Sequence, residues 1–155
     1  RLSLDGVFGI SFGEPVPDGW LADAAEFVPD EVLEARPPAV PDPLADGQYT
    51  LTLGPDRLPI RIAAEFPDPD ASRFERLAGA LAQKFGPPTK NAERHRIHKV
   101  SGDYLVARHV ADTGTARLVF IDDVGREGQR ARQAAAHAER LAEQQRQFDE
   151  ETAGL

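Results

Sequence analysis

Ser11 is the residue of this chain whose local sequence most resembles a catalytic motif. Residues 9–13 (GISFG) match the G-x-S-x-G pattern of a nucleophile elbow. The elbow needs a sharp turn from a strand into a helix, but residues 14–17 (EPVP) follow, and their prolines cannot continue a helix. We therefore interpret the motif as a glycine-rich strand. A small hydrolase or ligand-binding enzyme that uses Ser11 or the histidines stays open as the alternative function.

His95, His98 and His109 have imidazole nitrogens that could bind zinc or act as general bases. In a strand, the odd separation of His95 and His98 places the two side chains on opposite faces. With a hairpin turn at residues 101–102, His98 and His109 are about 13 Å apart, and a slip by one residue leaves them about 7–8 Å apart. Because ligand nitrogens lie about 2.0–2.1 Å from a zinc ion, this spacing predicts no metal site.

Acidic side chains near the ends of predicted helices and strands could also bind a cation or act in acid–base catalysis. Asp68, Pro69 and Asp70 fit the cap and first turn of a helix, and residues 122–123 (DD) lie where a strand gives way to a helix. The chain has no spacing typical of a calcium loop. We interpret these carboxylates as helix caps and predict neither a metal nor a cofactor.

Basic side chains are concentrated in one part of an otherwise acidic chain, whose formal net charge is −8. The members of this group are Arg94, Arg96, His98, Lys99 and Arg108, with Arg117 further along the chain. A solvated strand face is one explanation, and a docking site for an acidic peptide or an anionic headgroup is the other. Aromatic residues that could read bases are missing, and the net charge opposes binding to phosphate backbones, so no nucleic acid is predicted as a partner.

The sequence pattern of residues 48–122 predicts an α+β domain. Apolar and polar residues alternate over residues 49–53 and 60–66, as in half-buried strands, with a turn at residues 54–57. A helix over about residues 70–85 carries an apolar stripe that should pack on the sheet, formed by Phe74, Leu77, Leu81 and Phe85. Three more strands follow, so we expect an antiparallel sheet of about five strands in the order ββαβββ.

Three regions are predicted within a single domain: an irregular N-terminal arm with a proline-rich connector (residues 1–47), the α+β core (48–123) and a C-terminal helix (124–155). We expect the arm to pack along the sheet, because it carries too many aromatic side chains to leave in water. Residues 7–13 alternate like a strand. Residues 20–36 predict two weak helical pieces broken by Pro29.

The C-terminal helix predicts an interaction surface. Alanines within residues 131–142 should pack closely on the domain, and the distal half should extend beyond it. Leu141 and Phe148 lie seven residues apart on one side of the helix, where they could anchor a protein partner or a second copy. The alternative is a solvated tail.

Cellular location is suggested by a resemblance together with the start of the chain. Residues 6–13, 48–53, 81–88 and 118–122, followed by a polar helix, resemble a loose group of uncharacterised exported bacterial proteins. That resemblance implies a periplasmic or envelope location and no known activity. The chain starts at Arg1 and contains no methionine, so we expect an upstream segment, for which a signal peptide is a candidate. No apolar run is long enough to span a membrane. We predict a non-enzymatic protein that acts through protein–protein contacts.

Overall fold

The fold belongs to the α+β class. The structure is a computed structural model that describes residues 12–21, 27–37, 40, 44–100 and 102–155. Within these residues there are seven strands, namely β1 (Val32–Ala35), β2 (Gln48–Leu53), β3 (Pro59–Pro67), β4 (Lys90–Ala92), β5 (His95–Val100), β6 (Asp103–Val110) and β7 (Thr115–Asp122). The helices are α1 (Ser72–Phe85), α2 (Asp123–Thr152) and a short 3-10 helix (Asp18–Trp20). The predicted class and the long C-terminal helix are confirmed.

The strands form a single antiparallel sheet in the spatial order β1-β2-β3-β7-β6-β5-β4. The expectation of about five strands is wrong, because both edge strands were missed. β1 falls in a segment that was interpreted as weakly helical, and it becomes a strand by pairing with β2, with Leu33 opposite Leu51. β4 is three exposed residues long and is therefore too short and too polar to show alternation.

Helix α1 and the N-terminal residues cover one face of the sheet, which we call the covered face. α1 packs against β5, β6 and β7. The sheet residues buried on this face are mainly large and aliphatic or aromatic: Leu51, Ile62, Phe66, Leu105, Leu118 and Phe120. From α1, Phe74 and Ala78 are buried, and Leu77, Leu81 and Phe85 pack partly buried against the same cluster. The predicted apolar stripe therefore faces the sheet.

The start of α1 lies later in the chain than predicted. The sequence placed Pro69 at the first helical position, but the helix begins at Ser72, after Ala71 with φ of 64°. Asp68 nevertheless caps it from a distance, since its carboxylate accepts the backbone N–H groups of Arg73 at 3.1 Å and Phe74 at 2.8 Å. Asp70 accepts the N–H of Ser72, and hydrogen bonds from Ser72 lower the pKa of Asp70.

The N-terminal arm joins the core where the structure describes it. Phe12, Val16, Trp20 and Leu21 are buried in the main hydrophobic cluster. The carbonyl oxygen of Trp20 accepts the N–H of Arg36 at 2.6 Å, so the arm is also tied to the end of β1. Of the predicted strand over residues 7–13, residues 7–11, Ser11 included, lie outside the described residues, and residues 12–13 form a turn. Part of the proline-rich connector also lies outside the described residues.

Helix α2 leaves the end of β7 and runs away from the sheet. Its first turns are held by Asp30, whose carboxylate accepts two hydrogen bonds from Arg132 at 2.7 and 2.6 Å and whose carbonyl accepts one from Gln129 at 3.0 Å. The hydrogen bond with Asp30 raises the pKa of Arg132. Residues 130–151 are all exposed, so the prediction that the alanines of residues 131–142 pack on the domain is wrong. Neither described helix has a stretch both apolar and long enough to cross a membrane.

Candidate functional site

The face of the sheet opposite α1, which we call the open face, carries most of the basic side chains that the sheet leaves in contact with solvent. Alternation along each strand places on it Arg61, Ala63 and Glu65 of β3, Arg117, Val119 and Ile121 of β7, Tyr104, Val106 and Arg108 of β6, and His95, Ile97 and Lys99 of β5. Apart from Ala63, each of these residues is partly or fully exposed. This face is the candidate site.

An apolar row crosses the middle of the open face. Ala63 is opposite Val119, Val119 is opposite Val106, and Val106 is opposite Ile97 on four neighbouring strands. Side chains directly opposite one another in an antiparallel pair lie within contact distance. The row therefore forms a continuous apolar strip that is partly accessible from solvent.

A row of charged side chains lies on one side of the apolar row. Glu65, Arg117, Arg108 and His95 follow one another across β3, β7, β6 and β5. Arg117 and Arg108 are directly opposite, an arrangement of like charges that destabilises a sheet. Glu65 offsets part of this charge, because its carboxylate lies 3.7 Å from the guanidinium of Arg117. Two arginines side by side repel each other, and a bound anion would reduce that repulsion.

A second charged row lies on the other side of the apolar row. It contains Arg61, Ile121, Tyr104 and Lys99. The ammonium of Lys99 lies 5.6 Å from the centre of the Tyr104 ring, and the guanidinium of Arg126, from the first turn of α2, lies 5.0 Å from it. Arg126 is paired with Asp123. Within the residues that the structure describes, Arg61, Lys99 and Arg108 form no ion pair with a carboxylate, so the open face keeps an excess of positive charge.

Burial, together with nearby cations, lowers the pKa of two basic side chains on the open face. Burial lowers the pKa of Arg61, and the neighbouring charge of Arg117 lowers it further. Burial also lowers the pKa of His95, and the charges of Lys90 and Arg108 add to that effect. In both cases nearby cations disfavour the protonated form, and a bound anion would relieve this repulsion.

The open face contains a shallow groove at its β1–β2 end. The groove has a volume of about 510 Å³. Its lining combines hydroxyl, amide and charged groups, namely Thr50, Thr52, Arg61, Glu65, Arg117 and Gln129. Gln129 comes from α2, so the start of that helix forms one wall. The groove also contains Val32, Ala63 and Ala64, so it extends the apolar strip and adds polar and charged groups to it.

The basic group predicted from sequence is divided between the two sides of the sheet. Lys99 and Arg108 lie on the open face, and Arg94 is exposed in the turn between β4 and β5. Arg96 lies on the covered face, where its guanidinium is 5.1 Å from the centre of the Phe74 ring and 3.7 Å from the carboxylate of Glu75. The even spacing of Arg96 and His98 within β5 places these two on one side, opposite to Lys99.

His98 and His109 support the fold. His98 is buried on the covered face, directly opposite Leu105 as the two-residue turn predicts, and its Nε2 lies 3.1 Å from the carbonyl oxygen of Gly86. Nε2 of His109 lies 2.7 Å from the carbonyl oxygen of Asp68. Burial removes His98 from the predicted partner-binding group. No cluster of His, Asp or Glu among the described residues could hold a metal ion.

Sequence reasoning missed Arg61, His95 and Arg126 as members of the site, and it counted Arg117 in the basic group without placing it on a face of the sheet. Arg61 and Arg117 are separated along the chain by α1 and three strands, and they come to the same face because β3 pairs with β7. Alternation in each strand could have assigned the face of each side chain, but strand order could not be obtained from it. Leu141 and Phe148 lie away from this site, exposed on α2 by 51% and 58%.

No protein-family model, curated protein or solved structure matches this chain. The geometry of the sheet thus defines only a broad class, a small α+β protein with a basic and partly apolar open sheet face.

Proposed function

We propose that this protein is a non-enzymatic binding protein that captures an acidic segment of a partner protein on its open face. The observation that carries the proposal is the arrangement of an apolar row between two rows whose cations Arg61, Lys99 and Arg108 form no ion pair with a carboxylate of the described residues. We further propose that it acts in the bacterial periplasm or cell envelope. That location is supported by the resemblance to exported bacterial proteins.

The spacing of the rows indicates what the partner segment looks like. Successive side chains on one face of a strand are about 7 Å apart, so the two charged rows are about 13 Å apart with the apolar row between them. A segment that lies across the strands would place apolar side chains on Val119 and Val106 and carboxylates toward Arg108 on one side and Lys99 on the other. The expected partner therefore combines aliphatic residues with Asp and Glu.

The enzyme alternative has less support from the described residues. A hydrolase would need a base that can reach both a nucleophile and solvent. His98 and His109 are buried, and each has a ring nitrogen within hydrogen-bonding distance of a backbone carbonyl. Ser11 lies outside the described residues. Hydrolytic activity that disappears in Ser11→Ala would favour the alternative over the binding function.

We expect charge reversal on the open face to abolish binding of an acidic peptide. The variant Lys99→Glu/Arg108→Glu should raise the Kd for a fluorescent peptide of alternating Glu and Leu by about tenfold or more. The affinity of the unmodified protein should also fall with added salt, because exposed charges are screened over about 8–10 Å. Fluorescence anisotropy at two salt concentrations measures both effects.

The matched control is Arg76→Glu/Lys84→Glu, which changes the net charge equally on exposed positions of α1, on the other side of the sheet. This control should leave the Kd within about twofold of the unmodified protein. Equal losses in the two double variants would show that net charge, rather than the open face, controls binding. A peptide with Gln in place of Glu should bind weakly to all three proteins.

We also expect peptide binding to raise the pKa of His95. In the free protein Lys90 and Arg108 help to lower this pKa, and a bound carboxylate would stabilise the protonated ring. NMR titration of the His95 ring with and without the acidic peptide measures the shift. His137 on the exposed part of α2 is the internal control and should not change. A bound peptide that leaves the pKa of His95 unchanged would place the binding site elsewhere.

A further inference from the structure

Helix α2 projects from the domain along most of its length. The residues that contact the domain are Gly125, Arg126, Gln129 and Arg132, near the start of the helix. Local interactions such as the ion pair between Glu143 and Arg146 support the projecting part. Because helices in proteins obtain most of their stability from packing, an exposed segment of more than 20 residues calls for a partner.

A stripe of five apolar and three polar residues runs along the side of α2 that faces away from the domain. Its members alternate at spacings of four and three residues, the spacing of a coiled-coil contact, and we call them the α2 seam: Glu127, Ala131, Ala134, Ala138, Leu141, Gln145, Phe148 and Thr152. At 3.6 residues per turn, the seam lies on the opposite side of the helix from Gly125 and Arg132. It spans about 38 Å, and the domain does not obstruct it.

The charges on α2 are distributed unevenly between its two ends. Near the start, Arg126 and Arg132 are paired with Asp123 and Asp30, whereas Arg130 forms no ion pair with another described residue. Residues 149–151 (DEE) lie in the last turn, where the described helix has no basic residue. Negative charge at the C-terminal end of a helix is unfavourable, because the helix dipole is also negative there. The basic start and the acidic end of α2 would attract each other if the start of one helix lay beside the end of another.

We infer that two copies of this chain associate by packing their α2 seams against each other in antiparallel orientation. In the register centred between Ala138 and Leu141, each larger side chain meets an alanine of the other copy. Phe148 then faces Ala131, Gln145 faces Ala134, and Leu141 faces Ala138, each pair occurring twice. Alanines opposite bulky residues allow helices to approach to the short end of the usual 8–10 Å range.

Charge complementarity supports this orientation and register. Arg130 and Glu151 flank the seam on the same side, and the antiparallel register brings Arg130 of one copy beside Glu151 of the other. In a parallel pair, Phe148 would meet Phe148 and the acidic last turns would lie side by side, which like charges oppose. The chemistry of the seam therefore selects the antiparallel arrangement.

The association is independent of the proposed peptide binding. The seam faces away from the domain, so pairing leaves the open face of each copy accessible. The two domains would lie at opposite ends of the paired helices, and the dimer would present two open faces for binding.

Sedimentation equilibrium of the full chain tests the association. We expect a reversible dimer whose Kd rises by about tenfold or more in Leu141→Asp. The matched control is Ala136→Asp, which adds the same charge at an exposed position on the other side of α2 and should leave the Kd within about twofold. A protein that stays monomeric at every concentration, or equal weakening by both substitutions, would overturn the inference.

Disulfide trapping tests the orientation, since the chain has no cysteine of its own. Ala134→Cys and Gln145→Cys should form a mixed disulfide when the two single variants are combined and oxidised. Alone, each should crosslink slowly, because the two copies of the same cysteine are about 16 Å apart along the antiparallel pair. Efficient crosslinking of each variant with itself would indicate parallel helices. The weakened dimer of Arg130→Glu should recover in Arg130→Glu/Glu151→Arg.

Discussion

Replacing Trp20 with alanine is expected to lower the free energy of unfolding by about 3–5 kcal/mol, the usual cost of removing a buried aromatic side chain. Trp20 is 1% exposed and belongs to the same buried cluster as the residues of the sheet. Its backbone also holds Arg36 at the end of β1. Urea unfolding followed by circular dichroism measures the change without depending on the fluorescence of the lost tryptophan.

Val28→Ala is the control for this experiment, because Val28 lies in the same N-terminal region but is 40% exposed. It should change the unfolding free energy by no more than about 0.5 kcal/mol. A comparably small effect of Trp20→Ala would mean that the arm is not part of the cooperative fold. In that case residues 48–123 would form the stable unit by themselves.

The central strands could be predicted because their sequences carry their own signal. β2 and β3 each pair a buried face with a more polar one, and the turn between them is closed by hydrogen bonds between Gly54 and both Arg57 and Leu58. Both edge strands lack such a signal. Lys90–Ala92 becomes a strand because β5 offers free hydrogen-bonding groups at its edge, which is a property of the assembled sheet.

The candidate site was only partly predictable for a similar reason. Lys99 and Arg108 were identified because they come from one hairpin, whose register follows from its short turn. The pairing of β3 with β7, which brings Arg61 onto the same face as Arg117, depends on contacts that are distant along the chain. Sequence periodicity assigns each side chain to a face of its own strand, but it does not state which strands are neighbours.

Helix α2 shows a different limit of prediction from sequence. Its length followed from the composition of residues 126–152, but the side that contacts the domain did not. The alanines suggested a packing face, yet the contacts with the domain come from Gly125, Arg126, Gln129 and Arg132. Arg132 is directed there by the carboxylate of Asp30, a residue about 100 positions earlier in the chain. A polar anchor of this kind leaves the apolar stripe free to face outward.

Replacing Asp68 with alanine is expected to cost about 2–4 kcal/mol of stability, because it leaves two backbone donors at the buried start of α1 without partners. The carboxylate is 1% exposed and accepts the N–H groups of Arg73 and Phe74. Its backbone carbonyl also lies 2.7 Å from Nε2 of His109, so Asp68 connects α1 to β6. Denaturant midpoints of the variant measure the loss.

Asp70→Ala provides the comparison for Asp68→Ala. Asp70 also accepts a backbone N–H at the start of α1, but it is exposed to solvent, which can replace the lost acceptor. Its removal should therefore cost much less than that of Asp68. Equal effects of the two substitutions would show that the buried carboxylate does not hold the helix in place. Because α1 and the open face lie on opposite sides of the sheet, the folded fraction of Asp68→Ala should still bind the acidic peptide with an unchanged Kd, which separates the residues that maintain the fold from those that bind the partner.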